Sequence, residues 1–191
     1  MQPIVKDSDG NTYETVIIGE QVWVAQNLKV SAFRNGDPIP EAKTDEEWQC
    51  AGKTKEPAWC YNENDPENDR EYGKLYNWFA VTDPRGIAPE GYHIPSKKEF
   101  KELLKNVNVK GRPAYDELRL GGSSGFNSLF GGSRLPNCQF SGIGKTARYW
   151  SDTSWFKGNA GGIYIISVWE TAKWCSDYCK CNGYSVRCLK D

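Results

Sequence analysis

The chain has 191 residues, a size that suits one domain spanning 1–191 and can bury a core without staples. Its 24 basic and 25 acidic residues leave a net charge of −1 with no basic stripe, so nucleic acid is excluded as an expected partner. Apolar residues make up only 38%, so 8 tryptophans and 10 tyrosines must carry much of the burial, while 19 glycines and 10 prolines argue against a helical bundle.

In chain order, Asp7 to Asn11 reads as a turn, with Asp and Asn bonding their own backbone and Gly10 supplying positive φ. Strands are predicted from Tyr13 to Ile18 and from Gln21 to Ala25, with Gly19-Glu20 as the hairpin between them. Thr44 with Glu47 three residues on predicts a capped helix start. Asn62 to Asp69 is a polar, acidic loop. Tyr72 to Val81 is predicted as a helix, with Leu75, Tyr76, Phe79 and Ala80 on one face. Ser96 and Glu99 form a second capping box, ahead of a stripe of Phe100, Leu103, Leu104 and Val107. A shorter helix is predicted from Pro113 to Leu120. The glycine-rich stretch Gly121–Gly132 suits close backbone approach. Three strands follow: Arg148–Ser151, Gly162–Trp169 and Tyr184–Leu189. Strands first, helices in the middle and strands last imply an α+β fold with two to four helices, many loops, and an antiparallel sheet joining the N- and C-terminal strands.

Seven cysteines, clustered in sequence, favour disulfides and an oxidising compartment. The expected participants are Cys50, Cys60, Cys175, Cys179, Cys181 and Cys188, with Cys50 and Cys60 close enough in sequence to pair and Cys138 the candidate odd thiol. Zinc held by Cys175, Cys179, Cys181 and Cys188 is the weaker reading, because Cys-x2-Cys spacing is absent. His93 is the lone histidine, read as a half-buried ring bonded to backbone rather than a catalyst. No cofactor is expected. The acidic loop offers oxygens suited to calcium but no EF-hand spacing, and solvation is its default. No apolar run follows Met1 or reaches membrane-spanning length, so no span is expected, and an exported form would have lost its leader.

Several short motifs fall in a familiar order. They are Asp9-Gly10-Asn11 with Tyr13, Ile18-Gly19 with Gln21 and Trp23, Gln26-Asn27-Leu28, Cys60-Tyr61-Asn62, and Tyr72-Gly73 with Leu75-Tyr76-Asn77-Trp78. Pro89 with Gly91-Tyr92-His93-Ile94-Pro95-Ser96, Tyr149-Trp150-Ser151 and Tyr184-Ser185-Val186-Arg187-Cys188 complete the set. Together they resemble the Fibrobacter succinogenes major paralogous domain, from about Asp7 to the C-terminus.

The resemblance implies a C-type-lectin-like fold, distantly similar to formylglycine-generating enzymes and to retroelement variable proteins. It also implies an exported or surface lipoprotein of Bacteroidetes–Fibrobacteres type, with no activity attached. The family's cysteine before the Pro-x-Gly motif, which looks like the partner of the C-terminal cysteine, is Ala88 here. The resemblance therefore implies that Cys188 re-pairs with Cys175, Cys179 or Cys181.

Aromatics crowd the last third, and exposed Trp and Tyr make good sugar platforms and interface anchors. The expected function is a non-enzymatic extracellular or cell-surface module for binding or adhesion, recognising a glycan or surface protein. Trp155, Trp169, Trp174, Asp177 and Tyr178, in loops between Ser151 and Asn182, are its expected anchors. The alternatives are a cysteine-dependent enzyme using Cys175 and Cys179, and a structural subunit of a surface or fimbrial assembly.

Overall fold

The computed structural model describes residues 4–108 and 112–191, with only the backbone of Lys157. Strand β1 (Val5–Lys6) pairs with β2 (Thr12–Tyr13) across a turn organised by Asp7. The Asp7 carboxylate accepts from the amides of Asp9 (3.0 Å) and Asn11 (2.9 Å) and from the Tyr13 hydroxyl (2.6 Å). The hairpin of β3 (Thr15–Ile18) and β4 (Gln21–Val24) closes at Gly19, where φ is +63°. Helix α1 (Asp45–Thr54) starts in the predicted capping box.

The region predicted as one helix from Tyr72 to Val81 is three pieces. Strand β5 (Trp59–Cys60) is followed by α2 (Asn68–Tyr72), then β6 (Leu75–Tyr76), which pairs with β5, then α3 (Trp78–Val81). Gly73 breaks the helix. Its φ is +68°, and a Cβ there would come within 2.9 Å of the Leu28 carbonyl oxygen. The apolar spacing that mimicked a helical face instead belongs to a buried strand and a short turn capped by Asn77.

After β7 (Tyr92–His93) comes α4 (Lys97–Val107), the second capped helix, and then α5 (Ala114–Leu118). Phe100, Leu103 and Val107 of α4 are buried as its stripe predicts. The hairpin β8 (Gly131–Arg134) with β9 (Phe140–Ile143) follows the glycine-rich stretch. Close approach is real there: a Cβ on Gly122 would lie 2.4 Å from the carbonyl oxygens of Asp116 and Glu117.

The largest ladder is β10 (Thr146–Ser154), β11 (Asn159–Ile166) and β12 (Thr171–Cys179), in that order. Strand β12 corrects the expectation that Trp174, Asp177 and Tyr178 lie in loops between Ser151 and Asn182. Finally β13 (Leu189–Lys190) inserts between β4 and β7, giving the order β3-β4-β13-β7. The N- and C-terminal strands thus share one antiparallel sheet, as expected. The described residues hold five short helices rather than two to four.

The segment before β13 was predicted as a strand from Tyr184. It is instead an extended ribbon that changes partner at almost every residue. Gly183 bridges Arg134, Tyr184 bridges Tyr76, Ser185 bridges Tyr149, and the Val186 and Cys188 carbonyls accept from Leu28 and Val24. Arg187, fully buried in this ribbon, has no carboxylate partner among the described residues. Its guanidinium donates to Asn27 Oδ1 (2.7 Å) and to the carbonyls of Val24, Phe126 and Asn127. Four acceptors compensate a desolvated charge that would otherwise be prohibitive.

Aromatics do carry the core. One cluster gathers Tyr76, Trp150, Tyr184, Val186 and Cys188. A second gathers Trp23, Phe100, Phe126, Tyr149 and Ile163 beneath α4. A third surrounds Trp48 and Cys60.

All seven cysteines are free thiols, where pairing was expected. Cys50 is exposed on α1, whereas Cys60 is sealed in the third cluster. Cys138 is buried, its thiol 3.3 Å from the Asp45 carbonyl oxygen. Cys188, expected to bond to Cys175, Cys179 or Cys181, is enclosed in the first cluster with Ala88 and Tyr92. Those three stand half-buried on and just after β12.

Candidate functional site

Strand β10 leaves the core at Ser151 and turns back into β11 through Trp155 and a 3-10 turn, Phe156–Gly158. Gly158 (φ +85°) lets the chain reverse, and the Trp155 amide donates to the Asn159 carbonyl at 2.8 Å. Trp155 is 49% exposed and Phe156 71%.

The N-terminus of α4 is fastened to the end of β10 that leads into this turn. The Lys97 amide, in the helix's first turn, donates to Thr153 Oγ1 (2.9 Å), and the Asp152 amide donates to the Pro95 carbonyl (3.1 Å). This places the Lys97 ammonium 4.7 Å from the Trp155 ring centroid and 5.7 Å from that of Trp174. Such cation–π contacts contribute about 0.5–1 kcal/mol when exposed. Trp174 lies over Gly161, where a Cβ would meet its ring at 2.2 Å, so only glycine fits beneath the indole.

A second lysine–indole pair stands at the same end of the sheet. The Lys180 ammonium lies 3.9 Å above the Trp78 ring and donates to Ser154 Oγ at 2.9 Å. Burial, then the charge of Lys55, holds its pKa below the ordinary lysine value. Asp177, exposed on β12, accepts a hydrogen bond from Asn159 Nδ2.

The expected anchors are therefore divided. Trp155, Trp174 and Asp177 belong to this end or the strand leading to it. Trp169 lies at the opposite end, in the turn between β11 and β12, seven residues along β11 and hence about 23 Å away. Tyr178 is not a loop residue. It is 8% exposed and packs edge-on against Trp150 (6.0 Å) and Tyr184 (4.9 Å), which removes it from any ligand face. Lys97 and Lys180 were missed. The capping box did place Lys97 in the first turn of α4, but its meeting with Trp155 is a tertiary event.

Behind the turn, His93 is bonded by two carboxylates rather than backbone: Nδ1 to Asp191 (2.8 Å) and Nε2 to Glu99 (3.0 Å). Partial burial works against its charge, yet the two carboxylates outweigh it and raise the His93 pKa. Glu99 is also desolvated, but the Ser96 amide and hydroxyl, with His93, lower its pKa.

Burial raises the pKa of three thiols. Burial pushes Cys60 and Cys188 up to about 12, and burial with the neighbouring Cys179 takes Cys181 to about 11. In the acidic loop, Asp65 accepts from the Glu67 amide and Asp69 pairs with Lys74 at 3.3 Å. Among the described residues no group of three His, Cys, Asp or Glu could hold a metal, and no helix is long and apolar enough to cross a membrane.

The family model described as Fibrobacter succinogenes major domain matches residues 16–190. No curated protein and no solved structure matches the chain.

Proposed function

We propose, for a chain that belongs to the Fibrobacter succinogenes major domain family, a non-enzymatic role as an extracellular or cell-surface binding or adhesion module. The observation that carries this reading is the Trp155–Phe156 turn, an exposed aromatic pair braced by Lys97 and by the α4 N-terminus. A large ring already fixed in place loses little freedom on binding, so it suits a sugar face or a protein hot spot. The β3–β4 hairpin and the C-terminal β13 sharing one sheet, beside a three-stranded antiparallel ladder, are what support a C-type-lectin-like version of the α+β fold.

Catalysis through Cys175 and Cys179 is less favoured. Cys175 stands beside Tyr178 and Tyr184, whose phenols burial keeps protonated, and the lone histidine is held by Glu99 and Asp191. A glycan array and a panel of surface proteins, screened with wild type, Trp155→Ala and Trp169→Ala, test the proposal. Ligands kept by Trp169→Ala and lost by Trp155→Ala are expected. Ligands indifferent to Trp155→Ala would place the site elsewhere.

A further inference from the structure

The exposed face of α4 continues from the Trp155 platform. Lys97, Lys98, Lys101, Glu102 and Lys105 line a shallow hollow of about 480 Å³. Lys97, Lys101 and Lys105 recur every fourth residue, so their stems leave the helix about 6 Å apart along one stripe. Of the four ammoniums only Lys105 meets a carboxylate among the described residues, Glu102 at a loose 4.0 Å. Glu99, the other acid on this helix, is committed to Ser96 and His93. A chain of net charge −1 thus carries a row of essentially uncompensated positive charge, and that row begins at its exposed aromatic pair.

We infer that the Trp155 platform and the α4 lysine row together bind an acidic polysaccharide, one bearing carboxylate or sulfate at regular intervals. The inference rests on the binding reading above and narrows it to a ligand class. One sugar ring stacks on Trp155, where Lys97 is held against the indole, and successive acid groups meet Lys98, Lys101 and Lys105. Lysine presents a compact point charge on a flexible stem, suited to anions whose spacing varies, unlike the fixed fork of arginine. A row of charges without an aromatic platform would serve an anionic membrane as well. The ring at one end of the row is what favours a sugar polymer.

Titration calorimetry with polygalacturonate, its methyl ester, dextran sulfate and dextran tests this on the full chain. The acidic polymers should bind, with affinity falling at least tenfold between 50 and 300 mM salt, and the neutral ones at least tenfold more weakly. Lys98→Gln/Lys101→Gln/Lys105→Gln should weaken acidic binding at least tenfold while leaving the melting temperature unchanged, because these side chains are exposed. Equal binding of acidic and neutral polymers that Trp155→Ala abolishes and the triple variant does not would overturn the acidic ligand and leave the platform standing. Binding of none of the four overturns this inference without touching a protein ligand. Tighter binding to vesicles of anionic lipid than to either acidic polymer at equal salt would replace the sugar with a membrane.

Discussion

The two ends of the β10–β12 sheet each display an exposed tryptophan, and they differ in how it is held. Trp155 is 49% exposed, under a lysine ammonium, on a turn closed by its amide to Asn159 and entered from an end of β10 that is hydrogen-bonded to α4. Trp169 is 73% exposed, and among the described residues no ring or cation stands against it. Its turn is tied through Ser167 to the Lys145 carbonyl, and Glu170 follows at φ +45°. An exposed aromatic becomes a recognition element when its orientation is settled before the ligand arrives; otherwise binding must pay for ordering it.

The largest expected effect tests what holds the first end in place. Trp174→Ala removes the ring between Lys97 and the second core cluster and should cost about 2–3 kcal/mol of stability, measured by urea denaturation. Trp155→Ala should change stability by less than about 0.5 kcal/mol while weakening ligand binding tenfold, about 1.4 kcal/mol. If both variants lose binding only in proportion to unfolding, the contrast between the ends is merely one of packing.

A smaller, pH-dependent effect should appear at the first end alone. His93, with its raised pKa, contributes stability that is fully present below the ordinary histidine value of 6.5 and fades as pH rises through the raised value. Glu99, with its lowered pKa, contributes stability present above the ordinary glutamate value of 4.5 and lost as pH falls through the lowered one. Thermal unfolding should therefore be most favourable to the fold between about pH 4.5 and 6.5. From pH 6 to 9, wild type should lose more melting temperature than His93→Gln; parallel curves would show that the ring's charge stabilises nothing. Smallest of all, Trp169→Ala should shift both stability and binding by less than about 0.5 kcal/mol.

Local rules were legible where the cause is local. Both capping boxes, the Gly19 hairpin and the stripe of α4 stand where their residues put them, because each needs only a few neighbours in sequence. Strand β12 was hidden. Its Trp174, Asp177 and Tyr178 read as loop anchors and its cysteines drew attention to pairing, whereas the strand carries a bulge opposite Ala160 and Gly162 and packs against the first and second core clusters. Buried Arg187 was equally illegible, since its acceptors lie 60 to 163 residues away and nothing beside it in sequence announces them. The candidate site was half visible. The exposed indole was named, but not the lysines that set it, nor the burial of Tyr178.

The position of β13 bears on how the protein is made. Both edges of this strand are occupied, by β4 on one side and β7 on the other, yet both neighbours lie about 95 residues or more earlier in the chain. During synthesis, β4 and β7 leave the ribosome long before the strand that belongs between them, and the core around Trp23 stays open until β13 arrives. The fold must then close in one late step that joins residues about 165 positions apart, a slow kind of closure. Until β13 pairs, the facing edges of β4 and β7 stay bare, the kind of edge a holding chaperone covers.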